Sequence, residues 1–586
     1  MSCDQAAKQS FAMAPGTWPA WARAAAYGRF DRTPMSPRRG SGVENRHGFG
    51  RALRHHSNPA RRAPLSRPWV RTERCSAASE GAAADRADRM SVTAALHRFA
   101  TTQPDRTAIR FERDALTWRD LDILVERFAQ DIDAHVAKDQ GVAICLPNCP
   151  AQVILVLAVA RSGREAQVLD PQWPREMLVQ TLRAVAPGLC YGAKELDLEG
   201  TPTWVVDPRQ GFDALACAPP RRANGDRLNE PSSDTAFYVG FTSGSTGVPK
   251  GYRRTHASWL KSFEADRIEF GITSGDVVLA LGPLTHSLFL YALIRGLNAG
   301  ATVVMCHTFQ SGAAIRLIRR AAVTVIYGVP THYRLLLAAA KRQNTGTIPA
   351  VRWVLCSGAT WTGADKSQLH TMFPNAELGE FYGASELSFV TLAKSSENVP
   401  EHSVGRAFEG VEIAIHRQDG QPAPPYEPGL IFVKSDLVFK GYACGAEGAT
   451  LRSEDAISVG DIGYLDARRF LYLVGRADRM LVTSGRNVYP EEVEAVLNAH
   501  PAIDMSAVIG VTDRGRGQSV IALVSCVHDD APTWAELGPF MRKRLAPYKM
   551  PRQVAALSDW PLTRSGKTDL RAIERLWSSR AYRLLT

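Results

Sequence analysis

From residue 90 onward, short apolar runs alternate with longer stretches in which apolar residues recur at helical spacing. The runs of strand length cover residues 108–111, 141–146, 301–306, 323–327 and 352–356. Residues 151–160 form a longer apolar stretch that predicts a core helix, and helices are also predicted over residues 313–320 and 331–341. Because strands joined through helices pair in parallel, this alternation predicts an α/β fold, with mainly parallel sheets flanked by helices in a large N-terminal domain.

The pattern restarts after residue 475. Residues 490–497 predict a helix, because Pro490 stands at the first turn, acidic residues follow it, and Val493 and Leu497 share one face. Residues 507–511 and 520–527 are apolar runs of strand length. A second, small C-terminal domain of the α+β class is therefore expected.

Residues 1–89 differ from the rest of the chain in composition and charge. They carry 16 of the 70 Lys and Arg residues but only 7 of the 59 Asp and Glu residues. Without a sustained apolar period, they are predicted to be a disordered basic extension. Three explanations stay open: a segment ahead of a start at Met90, which we favour, a targeting peptide, or a basic tail that binds a partner. The acidic residues count against a transit peptide, and no apolar stretch suits a secretory signal.

The predicted division is thus 1–89 as the extension, 90–475 as the large domain and 476–586 as the small domain. Outside the extension, basic and acidic residues nearly balance, which argues against a nucleic-acid-binding core. No apolar run reaches the roughly 18 residues of a membrane span, so an integral membrane protein is excluded. The 10 cysteines form no CxxC pair, which favours reduced thiols and a cytoplasmic location.

An apolar strand over residues 237–241 leads into a loop of glycines and hydroxyl residues that ends at Lys250. The loop residues are Thr242, Ser243, Gly244, Ser245, Thr246 and Gly247. Glycine lets backbone N–H groups approach an anion, hydroxyls add donors and lysine adds positive charge, so this composition suits a polyphosphate. The loop is not the common P-loop, because Lys250 follows Pro249 rather than a glycine.

This loop resembles the phosphate-binding signature of the adenylate-forming enzymes, which include acyl-CoA synthetases, luciferases and peptide-synthetase adenylation domains. Four further motifs follow in that family's order. Residues 381–386 resemble its YGxTE motif, with Ser385 in place of threonine. The resemblance implies that Tyr382 stacks on adenine, that Ser385 approaches the α-phosphate and that Glu386 binds Mg²⁺. It also assigns to the ATP site Gly358, Ala359, Glu380 and Gly383.

Residues 460–466 resemble the family's TGDxGxxD motif, with Val459 where threonine is usual. The resemblance implies that Asp461 binds both ribose hydroxyls of ATP. A carboxylate accepts two hydrogen bonds, which is what a cis-diol offers. The substitution at Val459 puts a local contact in question and leaves the role of Asp461 intact.

Residues 475–494 resemble the family's interdomain hinge and the loop that faces the thiol substrate. The resemblance implies that Arg476 contacts ribose or phosphate. It implies further that Asp478 is the hinge about which a mobile C-terminal domain rotates. Gly485 is implied to line the tunnel for the pantetheine arm of CoA.

Residues 561–567 resemble the family's PxTxxGK motif, whose lysine, here Lys567, reaches the reacting carboxylate and the α-phosphate. The segment ending at His286 resembles the one that carries a gate beside the acyl pocket. His286, Leu290 and Phe389 are therefore candidates to line that pocket. His286 could equally be a histidine packed in the core.

The resemblance implies ATP-dependent activation of a fatty or aromatic acid to acyl-AMP, with release of pyrophosphate and transfer of the acyl group to the thiol of CoA. Lys567, Glu386 and Lys250 are the implied catalytic residues, and ATP, Mg²⁺ and CoA the implied cofactors. Two anions must approach each other, so catalysis rests on charge neutralisation and positioning.

Two alternatives stay open. The acyl acceptor could be the phosphopantetheine of an acyl carrier protein supplied in trans, since no carrier domain follows Lys567 in this sequence. From a different functional class, the chain could be a non-catalytic nucleotide-binding protein on the same fold. The joint presence of Lys250, Glu386, Asp461 and Lys567 argues against the second alternative.

Overall fold

The computed structural model of the chain describes residues 91–112, 114–196, 200–217, 226–242, 249–358, 361–445, 450–513, 515–527, 531–562 and 568–585. These residues belong to one compact unit, Thr72–Thr586. The predicted extension over residues 1–89 lies outside the described residues.

The described residues form α-helices, numbered here in chain order: α1 (Ala94–Thr102), α2 (Trp118–His135), α3 (Pro150–Arg161), α4 (Arg175–Val185), α5 (Phe212–Cys217), α6 (His256–Glu269), α7 (Ser287–Asn298), α8 (Ser311–Arg320), α9 (Pro330–Gln343), α10 (Gly363–Met372), α11 (Pro490–Asn498), α12 (Trp534–Arg542) and α13 (Leu570–Ser578). A single 3₁₀ turn of the described residues covers Pro547–Lys549.

The strands of the described residues are β1 (Thr107–Phe111), β2 (Asp114–Thr117), β3 (Val142–Cys145), β4 (Ala166–Val168), β5 (Leu189–Gly192), β6 (Thr203–Val205), β7 (Ala236–Thr242), β8 (Lys250–Thr255), β9 (Val277–Ala280), β10 (Thr302–Met305), β11 (Val325–Gly328), β12 (Trp353–Cys356), β13 (Glu377–Ala384), β14 (Ser388–Lys394), β15 (Arg406–Ala407), β16 (Glu412–His416), β17 (Gly429–Lys434), β18 (Gly441–Cys444), β19 (Leu451–Ser453), β20 (Ala456–Ser458), β21 (Asp461–Leu465), β22 (Leu471–Arg476), β23 (Leu481–Thr483), β24 (Arg486–Val488), β25 (Ile503–Asp513), β26 (Gly517–Cys526), β27 (Gln553–Ala556) and β28 (Arg583–Leu584).

Two sheets with parallel interiors form the centre of the large domain. The first has the order β18-β8-β7-β4-β3-β5-β6 and is parallel from β7 to β6. The second has the order β15-β14-β13-β12-β11-β9-β10-β1-β2 and is parallel from β13 to β1. Antiparallel strands extend one side of the first sheet and both sides of the second, as in the pairs β7–β8, β13–β14 and β1–β2. The predicted α/β class is confirmed.

Complete burial explains why several strands of these two sheets could be predicted from the sequence. Every residue of β3, β11 and β12 is buried, so each strand is a continuous apolar run, as expected where helices cover both faces of a parallel sheet. Helix α3 is buried along its whole length, which matches its prediction as a core helix. No helix in the described part of the chain combines the length and apolarity needed to cross a bilayer.

A third sheet of the large domain contains β16, β17 and β19 to β22 and is antiparallel throughout. The sequence-based prediction did not include it. Its strands have three to six residues, and β19 contains no buried residue, so most of them give a short or weak apolar signal. Strand β17 does contain a short apolar run, residues 430–433, which the sequence analysis did not use.

The C-terminal residues form a sheet of the order β24-β23-β26-β27-β28, with β25 paired to β26. Helix α11 begins with Pro490 in its first turn and carries Glu491 and Glu492 there, as predicted. Apolar side chains form two clusters, one with Val493 and Leu497 of α11 and the other with Ile573 of α13. The predicted α+β class of this region is confirmed.

Candidate active site

A cavity of about 590 Å³ lies where the two parallel sheets present the carboxyl ends of their strands. Asp170 follows β4, Thr285 follows β9, Val329 follows β11 and Ser357 follows β12, and all four line the cavity. Thr242, the last residue of β7, also lines it. In parallel α/β sheets the carboxyl ends are where ligands bind, because loops there can vary without disturbing the sheet.

The predicted phosphate-binding loop connects two paired strands at this cavity. Thr242 at the end of β7 pairs with Lys250 at the start of β8, and Pro249 lines the cavity beside them. The side chain of Lys250 is half-buried. Ser243, Gly244, Ser245, Thr246 and Gly247 lie outside the described residues. The hairpin therefore anchors both ends of the loop at the cavity edge.

Glu386 is held by two contacts from distant parts of the chain. The hydroxyl of Tyr442 donates to Glu386 Oε1 at 2.8 Å, and the backbone N–H of Phe439 donates to the carbonyl of Glu386 at 2.8 Å. Burial, with the nearby Glu386 charge, raises the pKa of Tyr442, so this hydroxyl remains a proton donor at neutral pH. The contacts fix the position of one carboxylate beside the cavity residue Ser385.

The donor set fits Mg²⁺ bound together with phosphate. Among the described residues, no group of three or more His, Cys, Asp and Glu side chains could hold a metal ion. A single placed carboxylate such as Glu386 is nevertheless sufficient, because Mg²⁺ keeps several waters and is usually bound by one or two carboxylates plus substrate phosphates.

Tyr382, Asp461 and Arg476 form one polar cluster. The hydroxyl of Tyr382 donates to Asp461 Oδ2, and Arg476 Nε lies 3.4 Å from Asp461 Oδ1. Burial and the Asp461 charge raise the pKa of Tyr382 well above its usual range. Arg476 also donates to the backbone carbonyl of Val459 at 3.0 Å. Because that contact uses the backbone, valine in place of threonine leaves it intact.

At two positions predicted for the ATP site, the backbone geometry favours glycine over any other residue. A Cβ on Gly383 would lie 2.0 Å from the carbonyl oxygen of Ser388 on the neighbouring strand β14. Gly358 has a φ of +94°, in the region that favours glycine. Both line the cavity, whereas Ala359 lies outside the described residues.

Glu380 is occupied by protein partners. Its Oε1 accepts from the backbone N–H of Trp361 at 2.7 Å, and its Oε2 forms an ion pair with Lys366. Glu380 is not among the residues lining the cavity. Its predicted role at adenine therefore stays a prediction, and in this structure its carboxylate anchors the segment that follows β12.

The three residues predicted as candidates for the acyl pocket differ in position. His286 and Phe389 line the cavity. Leu290 is not among the residues that line it and is fully buried in the core, so its place at the acyl pocket stays a prediction. It lies on α7, whose residues Leu288 and Phe289 reach the cavity in its place.

The C-terminal domain also reaches the cavity. Lys567 lies outside the described residues, but Thr568, its neighbour, and Arg571 of α13 both line the cavity. Asp478 is 72% exposed and lies 3.3 Å from Arg476 Nε. Gly485 has a φ of +74° in the turn between β23 and β24, and it is not part of the cavity lining.

The lining residues that the sequence analysis missed include Tyr252, Arg254, Trp259 and Tyr291. A signal for two of them was present. Lys250, Tyr252 and Arg254 alternate along β8, so they share one side of the strand. Trp259 and Tyr291 lie on α6 and α7, where an aromatic residue looks the same whether it packs in a core or against a ligand.

The fold and the cavity define an α/β protein with a cavity of about 590 Å³ that is lined by residues of the large domain and of the C-terminal domain. The family described as AMP-binding enzyme matches residues 96–443, and the AMP-binding enzyme C-terminal domain matches residues 492–567. The chain belongs to this family and is an AMP-forming acid–thiol ligase.

Individual relatives agree with this assignment. The chain is 34% identical over 483 residues to an uncharacterized acyl-CoA ligase, YhfT, of Bacillus subtilis, covering 82% of this chain and 96% of that protein. It is 29% identical to a feruloyl-CoA synthase of Amycolatopsis, covering 80% and 96%. The o-succinylbenzoate CoA synthetase MenE from Bacillus subtilis, solved in complex with its acyl-adenylate intermediate, superposes with a TM-score of 0.70 at 27% identity, covering 82% and 97%.

Proposed function

We propose that the chain activates a carboxylic acid of the fatty or aromatic class with ATP and transfers the acyl group to the thiol of CoA. The observation that carries this proposal is the cavity that joins Thr242, Ser385, His286 and Thr568. These residues belong to the phosphate loop, the metal-binding motif, the acyl wall and the segment beside Lys567. Their meeting in one cavity is what a reaction between a triphosphate and an acid requires.

In the first step, an oxygen of the substrate carboxylate attacks the α-phosphorus of ATP, and pyrophosphate leaves with the bonding electron pair. No general base is needed, because a carboxylate is already ionised at neutral pH. Lys250 and Lys567 are proposed to offset the negative charge of the two reactants, and Ser385 to donate to the α-phosphate. Mg²⁺, held by Glu386, would add further charge neutralisation.

In the second step, the thiol sulfur of CoA attacks the acyl carbon, its proton passes to solvent, and AMP leaves with one oxygen of the original carboxylate. Asp461 and Arg476 are proposed to hold the ribose through both steps, with Tyr382 at the adenine. Gly485 is proposed to face the pantetheine arm. We assign residues 90–475 to the large domain and 476–586 to the small one, which rotates about Asp478 between the steps.

A carboxylic-acid screen tests this function. Pyrophosphate release is measured with the full-length chain, ATP and Mg²⁺, with CoA, with a holo-carrier protein, or with neither. We expect at least one acid to give pyrophosphate and a CoA thioester. Lys250→Met should lower that rate, whereas Lys261→Met, at an exposed lysine of α6, should leave it unchanged. Pyrophosphate release from no acid in the screen would contradict the proposal.

A further inference from the structure

Arg254 is an exception among the buried arginines of the described residues. The other three each have a carboxylate partner: Arg161 with Glu126 at 3.0 Å, Arg164 with Asp133 at 2.6 Å and Arg295 with Asp266 at 2.6 Å. Arg254 is 3% exposed, and no carboxylate of the described residues lies within ion-pair distance of it. The charge of Glu386 acts on Arg254 from beyond ion-pair distance. A buried charge without a direct ion-pair partner is costly, so its presence calls for a further source of compensation.

The hydrogen bonds of Arg254 leave part of its guanidinium available. It donates to Ser258 Oγ at 3.3 Å, to the carbonyl of Ser385 at 3.3 Å and to the carbonyl of Leu437 at 2.5 Å. A guanidinium has five N–H groups, so two have no hydrogen-bond partner among the described residues. Burial lowers the pKa of Arg254 to about 10, and the side chain remains charged at neutral pH.

The same wall of the cavity carries other polar groups. Tyr252 and Ser388 line it beside Arg254, and Ser388 Oγ lies 3.3 Å from Ser262 Oγ. The aromatic residues Trp259 and Tyr291 complete this wall. A plain alkyl chain seated here would offer the two remaining N–H groups of Arg254 no acceptor, so they would stay unsatisfied, which is unfavourable.

We propose that the acid activated by this chain carries a second oxygen acceptor, away from the reacting carboxylate, that binds Arg254. The inference rests on the proposed function, because it assigns the acyl end of the same cavity. A second carboxylate satisfies the guanidinium best, since the two groups form paired charge-assisted hydrogen bonds. A hydroxyl or oxo group satisfies it through its oxygen alone. Arg254 is thus a specificity-determining residue.

Matched acids test the inference on the full-length chain. Pyrophosphate release is compared within the sets butyrate and succinate; hexanoate, 6-hydroxyhexanoate and adipate; and benzoate, 4-hydroxybenzoate and terephthalate. In the set that contains the best substrate, we expect an oxygenated member to have a kcat/KM about 10- to 100-fold above the plain acid. Arg254→Met should abolish that preference. Arg253→Met is the matched control: it changes the preceding residue, whose side chain pairs with Glu165, and it should retain the preference.

Three outcomes overturn the inference. One is a preference for the plain acids. Another is an equal loss for all acids in Arg254→Met, because that result means that Arg254 only positions the carbonyl of Ser385. If this variant does not fold, Arg254→Lys replaces it, and an unchanged ratio between oxygenated and plain acids overturns the inference. Absence of pyrophosphate release from every acid would contradict the proposed function itself, so the two failures are distinguishable.

Discussion

The hydroxyl of Tyr382 donates a hydrogen bond to the carboxylate of Asp461, although the two residues are 79 positions apart. This contact joins the end of β13 to the start of β21, and therefore joins the second parallel sheet to the antiparallel sheet. It places the side chain proposed for adenine beside the side chain proposed for ribose. Both carboxylate oxygens of Asp461 have protein neighbours, since Arg476 lies on the other side.

The proposed roles of Tyr382 at the adenine and Asp461 at the ribose predict that substitutions of the two residues change the KM for ATP by different amounts. Asp461→Asn removes the charge that accepts from the ribose hydroxyls, so the KM for ATP should rise about 10- to 100-fold. Tyr382→Phe keeps the aromatic ring and should raise it less. Because the pKa of Tyr382 is raised, no change in the KM for ATP from this tyrosine is expected up to about pH 10. A larger effect of Tyr382→Phe than of Asp461→Asn would contradict these roles.

The contact between Tyr442 and Glu386 predicts a change in the magnesium requirement. Tyr442→Phe removes the donor that orients the carboxylate, and loss of such an outer contact typically costs about 10- to 100-fold in metal affinity. The Mg²⁺ concentration for half-maximal pyrophosphate release should rise accordingly. Glu386→Gln should raise it further. An unchanged Mg²⁺ requirement in both variants would remove Glu386 from the proposed metal site.

The exposed position of Asp478 suits a hinge, and a substitution there separates the two half-reactions. Asp478→Pro restricts the backbone, so thioester formation should slow far more than pyrophosphate release. Asp478→Ala is the matched control, because it removes the contact with Arg476 without restricting the backbone. Full thioester formation in Asp478→Pro would show that rotation about this residue is not required.

Burial of His256 predicts an acid-sensitive stability. The ring accepts from the backbone N–H of Val92 at 3.2 Å and stacks on Phe237, and burial lowers the pKa of His256 from 6.5 to about 3. Between these values only the unfolded chain takes up the proton, so the free energy of unfolding should fall as pH decreases through this window. The slope approaches about 1.4 kcal/mol per pH unit.

Urea unfolding at pH 8 and pH 5 measures this effect. His256→Asn keeps an acceptor near Nδ1 but does not titrate, so the loss of stability between the two pH values should be smaller than in the wild type. At pH 8, His256 is neutral in both the folded and the unfolded state. The difference in the free energy of unfolding between the variant and the wild type at this pH therefore reports packing alone. An identical pH dependence in the variant and the wild type would contradict the buried, neutral histidine.

The strands located most closely from the sequence are ones whose burial is complete. Strands β11 and β12 are buried on both faces and were located to within one or two residues. The antiparallel sheet was missed, because half-buried short strands such as β19 have no continuous apolar signal. Contacts between residues far apart in the sequence could not be predicted from local patterns. One example is Tyr442 of β18, which contacts Glu386 although 56 positions separate the two residues.

The same limit applies to the cavity wall. Phe389 and Leu290 looked equivalent in the sequence, yet the first lines the cavity and the second packs in the core. The two residues belong to different elements, and only the packing of α7 against its neighbours decides which of its side chains reach the cavity. Arg254 was missed because a charged residue on a strand is more often at the surface than inside.

The fate of the carboxylate oxygen tests the proposed chemistry most directly. The full-length chain is given ATP, Mg²⁺, CoA and an accepted acid labelled with ¹⁸O in both carboxylate oxygens, and the products are examined by mass spectrometry. Attack of the carboxylate on the α-phosphorus predicts AMP that contains one ¹⁸O atom and pyrophosphate that contains none. Unlabelled AMP, or ADP as the nucleotide product, would contradict it.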